Sequence, residues 1–226
     1  MEVLDEKLFI SSSSGGWQLA ASTKGFTLAE VLITLGIIGV VAALMLPAVL
    51  SNYRKQVAES RLKKFYTTFN QAVSLAENKY GDVEYWDNAD LYTPSGSMDW
   101  FNKYLGEFFE GTEVFNDNYT AWIKLSDGSA FGLRFGVQAS QTNFDMYFYP
   151  NANDIKKCGN ETASCTGTKY FTFRFTPQKK LMPYIDYYIN DDREQLIARC
   201  QEQHNYCTSL IMRDGWKIEK DYPLRF

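Results

Sequence analysis

One segment limits the fold of this chain more than any other. Residues 26–50 read FTLAEVLITLGIIGVVAALMLPAVL, and Glu30 is their only ionisable side chain. As a helix the run would be ~37 Å long, enough to cross a ~30 Å hydrocarbon core with some tilt. A lone carboxylate inside such a span is costly, so it is read first as a functional residue. A cleaved secretory peptide has an apolar region of ~7–15 residues followed by a small-residue cleavage site. This run is longer, and no A-x-A site follows it. A generic signal anchor explains the length but explains neither Glu30 nor the Gly25–Phe26 junction ahead of it. Within the run, Pro47 lacks the donor for one helix bond and crowds the preceding turn, which predicts a kink there. Gly36 and Gly39 let neighbouring helices approach closely, but their spacing is too short for a G-x-x-x-G dimer motif.

The helix is expected to continue past the apolar run. Ala58, Leu62, Phe65, Phe69, Val73, Ala76 and Tyr80 recur every three to four residues. That spacing draws an apolar stripe along one face, with Lys63, Asn70 and Glu77 off it. Gly81 is a natural stop.

After Gly81 the texture changes. Residues 82–120 read as irregular, with a short helix around Trp100–Phe109. Trp122–Leu125 and Ala130–Phe135 flank Asp127-Gly128, a strong hairpin cue. Phe144–Tyr149 and Tyr170–Phe175 alternate with the period of two expected of strands. Asn190, Asp191 and Asp192 would cap a helix running through Cys200. Leu210–Met212 and Trp216–Ile218 flank Asp214-Gly215 and suggest a second hairpin. Pro177, Pro183 and Pro223 read as loop punctuation. The 16 Phe and 15 Tyr fit a pleated, half-buried sheet better than a ligand-stacking platform. The expected class is α+β: a long N-terminal helix, half membrane-spanning and half amphipathic, packed on a mainly antiparallel β-sheet head.

The residues around the junction carry a family resemblance. Lys24, Gly25, Phe26, Thr27, Leu28, Ala29, Glu30 and Val31 match, position by position, the prepilin signal of the type IV pilin and type II secretion pseudopilin superfamily. This chain therefore resembles a prepilin over about residues 24–55. The resemblance implies a pilin-like fold and cleavage between Gly25 and Phe26 by a membrane prepilin peptidase. It also implies N-methylation of the new Phe26 terminus and a pairing of Glu30 with the Phe26 amine of a neighbouring subunit. The implied divisions are a leader at 1–25, a transmembrane and filament-core helix at 26–50, an amphipathic helix at 51–80 and a β-rich head at 81–226. The implied partners are the peptidase and methyltransferase, other pilin or pseudopilin subunits, and the membrane before assembly. The implied location is the bacterial inner membrane, crossed once with the head outside the cytoplasm, and then an extracytoplasmic filament.

Two features depart from that pattern. The leader holds Glu2, Asp5, Glu6 and only Lys7 before residue 24, where prepilin leaders are usually basic. Arg54, Lys55, Arg61, Lys63 and Lys64 follow the apolar run, and by the positive-inside rule they favour the opposite orientation. The position-by-position motif outweighs the charge count.

With the head outside the cytoplasm, disulfides can form and persist. The four cysteines, Cys158, Cys165, Cys200 and Cys207, allow three connectivities. Local pairing is favoured because each pair closes a short polar loop. Zinc is the weaker reading, because six residues intervene in each pair and zinc ligand pairs usually sit two to four apart. His204 is the only histidine and has no orienting acid in EQHNYC, so it reads as an exposed loop residue. Asp82, Glu84, Asp87 and Asp90, and Asp186, Asn190, Asp191 and Asp192, offer oxygen ligands without EF-hand spacing. Caps and solvated acids explain them better than calcium. No catalytic constellation is present: no G-x-S-x-G, phosphate-binding glycine loop or H-E-x-x-H. No enzyme, cofactor or metal is therefore expected. The formal charge of −4 argues against bulk nucleic-acid binding, which wants a basic stripe. The expected role is a filament subunit, of the minor or specialised kind. The alternatives are a membrane-anchored binding module that never polymerises and a DNA-uptake pilin.

Overall fold

A computed structural model describes residues 25–87, 93–109, 113–116, 120–135, 144–159, 163–184 and 190–226. Residues 1–24, Asp90 and Asp186 lie outside the described residues. The chain divides into two units, Met1–Leu46 and Pro47–Phe226, the second called the head below. Helix α1 runs Leu28–Tyr80 with Pro47 inside it.

In the head, α1 presents Ala58, Leu62, Phe65, Phe69, Ala72, Val73 and Ala76 as its buried face. The stripe read from sequence is thus in place with one exchange. Tyr80 is exposed, and Ala72 joins the core instead. Gly81 takes a positive φ of 85° and ends the helix, as a residue without Cβ can at no steric cost.

The described residues form six strands in one antiparallel sheet of consecutive order, a meander. They are β1 (Glu113–Asn116), β2 (Ala121–Lys124), β3 (Ala130–Phe135), β4 (Phe144–Tyr149), β5 (Phe171–Thr176) and β6 (Lys180–Pro183). Side chains alternate across a strand, so Ile123, Phe131, Leu133, Phe144, Met146, Phe148, Phe171, Phe173 and Phe175 share one core with α1. Phe65 is its centre. Its ring stacks on Phe148 at 4.4 Å and meets Phe131 at 5.3 Å and Phe173 at 5.4 Å. Helix α2 (Pro94–Tyr104) closes the other end, with Phe101 against Phe131 and Trp100 edge-on to Phe144.

The outer face of the sheet is also covered. Trp122, Ala130, Tyr147 and Tyr149 pack with Ile155, Cys158, Cys165 and Tyr170 in a second cluster. Helix α3 (Ile155–Cys158) and the Cys158–Cys165 disulfide hold that segment over the strands. Two buried faces explain why the strands carry so many aromatic residues.

Four elements differ from expectation. Leu210–Met212 is helical, within α5 (Cys207–Arg213), and Trp216–Ile218 is not a strand. Asp214-Gly215 is therefore the exit of a helix rather than a hairpin turn. The Cys200–Cys207 disulfide ties α5 to α4 (Arg193–Glu202), and Leu196, Leu210 and Ile211 are buried together in the main core. Pro183 ends the edge strand β6, where its missing N–H costs no ladder bond. The helix expected near Trp100 starts earlier, at Pro94, with the Thr93 hydroxyl accepting from the Gly96 N–H; Gly106–Phe108 is a separate 3-10 turn. Strand β1 lies within the stretch read as irregular. The cap on α4 is Asp192, in a reciprocal capping box with Gln195.

The β2–β3 hairpin forms where Asp127-Gly128 predicts it, and Asp127 does more than turn the chain. Its carboxylate accepts from the Ser129 N–H at 3.0 Å and from the Lys64 ammonium at 2.9 Å. Its carbonyl accepts from Arg61 on α1. Burial pushes the Asp127 carboxyl up, but the bonds from Ser129 and Lys64 outweigh it and hold the pKa at about 2. An acid depressed when folded adds stability above its unfolded pKa of about 4. That stability is lost as pH falls through about 2. The thermal midpoint of the wild-type head should fall between those limits, and Asp127→Asn should flatten that part of the profile. Circular dichroism melts across the range would check this; an unchanged slope in the variant would remove Asp127 from the account.

Asn70 acts as a surrogate strand. Its side-chain amide donates to the Leu181 carbonyl at 3.2 Å and accepts from the Leu181 N–H at 3.1 Å. The open edge of β6 is thus closed by one side chain from α1. Asn70→Ala leaves both half-buried backbone groups unpaired, at a cost of about 1–3 kcal/mol. A urea titration should show a lower midpoint with unchanged slope; coincident curves would mean that water replaces the amide without loss.

Candidate functional site

The N-terminal site is built on three residues ahead of a helix. Gly25, Phe26 and Thr27 precede α1 and are exposed, Phe26 at 86 %. The Glu30 N–H donates to the Thr27 hydroxyl at 3.2 Å, while the Glu30 carboxylate accepts from the Thr27 N–H at 2.8 Å. This is a capping box, which satisfies helix-start donors reciprocally. The Thr27 hydroxyl also donates to Glu30, at 2.8 Å. Both bonds that Glu30 accepts fall on Oε2, and Oε1 remains open. The T-x-x-E spacing was readable in the sequence, but a capping role for Thr27 formed no part of the expectation there.

A Cβ added at Gly25 would have nothing within 4 Å. The Gly25–Phe26 bond lies just outside the helix, which starts at Leu28. A Cβ on Gly36 or Gly39 would also meet nothing within 4 Å.

From Leu28 to Leu46 the apolar side chains are exposed, including Leu32, Ile33, Ile37, Ile38, Val40 and Leu44. A contiguous apolar surface of this extent marks a membrane or protein interaction site. The helix is long and apolar enough to cross a membrane.

The other candidate residues have local roles in the head. Asp82 caps a 3-10 turn by accepting from the Glu84 N–H. Asp87 pairs with Lys103, and Asp191 pairs with Arg199 at 2.6 Å. His204 has Nδ1 3.0 Å from the Ala163 carbonyl and lines an outer-face cleft with Arg134, Tyr147 and Tyr170. Among the described residues no group of three or more His, Cys, Asp or Glu side chains converges as metal ligands. Cys158 is bonded to Cys165 and Cys200 to Cys207, the local pairing.

A capped apolar helix behind an exposed Gly–Phe bond is the arrangement of a prepilin-type N-terminus. A family model described as the prokaryotic N-terminal methylation motif matches residues 21–46, so this segment is a prepilin-type cleavage and methylation domain. A second model, described as a family of unknown function (DUF6613), matches residues 48–226; the chain belongs to that family. The two matches meet at Pro47, where the two structural units also meet. No curated protein and no solved structure matches the chain.

Proposed function

We propose that the chain is a structural subunit of an envelope filament, a type II secretion pseudopilus or a type IV pilus-like fibre, and not an enzyme. In this reading prepilin peptidase cleaves between Gly25 and Phe26, and a methyltransferase methylates the Phe26 amine. The 26–50 helix waits in the cytoplasmic membrane with the head outside, then packs among the same helices of other subunits. Gly36 and Gly39 would permit close helix approach, and a kink at Pro47 would adjust the helix between core and head. Glu30 would pair with the Phe26 amine of a neighbour. The head, with two disulfides and many loops, suits a minor or specialised subunit.

The observation that carries the reading is the site itself. An exposed Gly–Phe bond stands just before a capped helix whose apolar side chains are exposed and whose single acid keeps one oxygen free. The test is intact mass and N-terminal sequencing of the protein from its native membrane. An N-methylated Phe26 terminus is expected. An intact leader in cells with active prepilin peptidase would overturn the reading in favour of an anchored module that does not polymerise.

A further inference from the structure

Much of the head's cationic charge is matched. Lys64 pairs with Asp127, Lys79 with Glu107, Arg174 with Asp145, Lys180 with Glu77, Arg193 with Asp214 and Asp221, and Lys217 with Glu59. One cleft is different. It has a volume of about 350 Å³ and lies between the first turns of α1 in the head, the Pro150–Asp154 turn and the Thr168–Lys169 and Arg225–Phe226 segments. Arg54, Arg61, Lys169 and Arg225 line it against one acidic side chain, Asp154. Arg61 is spent on two neutral acceptors, the carbonyls of Pro150 and Asp127. Among the described residues the side chains of Arg54, Lys169 and Arg225 have no hydrogen-bond or ion-pair partner. Three open cations and a fourth uncompensated one surround a cavity in the size range of small-ligand clefts, ~300–1,000 Å³.

The position of the cleft on the chain indicates the anion. Its α1 wall begins at Leu50, the last residue of the apolar run, and continues through Tyr53 and Arg54. Arg54 is one helical turn beyond Leu50, ~6 Å along the axis. A headgroup layer occupies about 5–7 Å on each side of the hydrocarbon core. Leu50 is 45 % exposed and Tyr53 63 % exposed, and aromatic residues with a polar tip collect at that level. Basic groups just outside a span attract anionic lipid.

We infer that this cleft binds the phosphodiester headgroup of an anionic phospholipid and seats the head on the membrane before assembly. Arg54, Lys169 and Arg225 pair with the phosphate, and Arg61, tied to the Pro150 and Asp127 carbonyls, fixes the wall. The inference rests on the reading of 26–50 as a membrane span and gives a use to Arg54 and Arg61, two of the cations that run against the positive-inside rule. They neutralise headgroup charge beside the head. Subunit extraction would then have to break these contacts.

Hydrogen exchange of the full processed chain in lipid nanodiscs tests this. Discs of phosphatidylcholine alone are compared with discs containing phosphatidylglycerol. The segments 150–154, 167–170 and 222–226 should exchange several-fold more slowly in the anionic discs. The double variant Lys169→Glu, Arg225→Glu should abolish the difference, and Lys169→Arg, Arg225→Lys should keep it. Equal exchange in both discs would overturn the inference. So would equal protection by inorganic phosphate in neutral discs, which would make the ligand a free anion. Protection that requires two chains per disc, whatever the lipid, would assign the cleft to a second copy. A chain that does not enter discs at all would instead sink the membrane reading beneath it.

Discussion

Glu30→Ala should leave a folded, anchored and cleaved protein that does not enter filaments. The head is a separate unit from Pro47 onward and does not depend on residue 30 for its core. What the variant loses is a carboxylate beside the helix start, in a segment that otherwise has no charge. An amine freed at Phe26 and buried in a filament core would be left without its counter-ion, and truncating one partner of a buried pair is strongly unfavourable. Shearing filaments from cells and quantifying this subunit should give background levels for the variant. The capping box offers a competing explanation, because Ala also removes the acceptor for the Thr27 N–H. Glu30→Gln separates the two. Its amide oxygen can still accept that bond, since Gln serves at this capping-box position, but it carries no charge. If charge matters, Gln should fail as Ala does. Normal incorporation of the Gln variant would reduce Glu30 to a helix cap. The open Oε1 would allow both roles at once: Oε2 closes the cap, and the second oxygen stays available to a partner.

The parts of this fold that were legible in sequence have a local physical cause. The apolar run and the stripe from Ala58 to Ala76 state a helix by period alone. Asp127-Gly128 states a turn because Gly128 takes φ 81°, and Asp192 states a helix start because its side chain can reach the Gln195 N–H. The misread parts were decided by distant contacts. Leu210–Met212 is too short for its period to distinguish strand from helix, and the disulfide to Cys200 and burial beside Leu196 resolve it. The start of α2 had a usable signal in Thr93-Pro94, a cap followed by proline at the first helical position. The surrogate-strand role of Asn70 could not be read, because nothing local says that β6 lies opposite it. At the N-terminal site Gly25, Phe26 and Glu30 were readable as a motif. The basic cleft was not, since it gathers Arg54, Lys169 and Arg225 from three separated segments.

Phe65→Ala should produce the largest loss of stability of any single change in the head. The ring is 2 % exposed and touches aromatic side chains from three strands, Phe131 of β3, Phe148 of β4 and Phe173 of β5. It also contacts Phe69 one turn along α1. Truncation removes the apolar transfer energy and leaves a cavity whose walls are large, stiff rings held by strand register. Such walls collapse poorly, so the cost belongs at the upper end of about 3–5 kcal/mol for Phe→Ala. Native domains have about 5–15 kcal/mol in total, so the variant would lose much of its margin. Phe65→Leu refills most of the volume and should recover the greater part. Denaturant titration of both variants checks this, with near-UV circular dichroism as the measure of aromatic packing. Equal losses for Ala and Leu would mean that the stacking geometry with Phe148, rather than filled volume, sets the stability of the core. A small loss for Ala would mean that α1 shifts inward and that the helix–sheet contact tolerates movement at its centre.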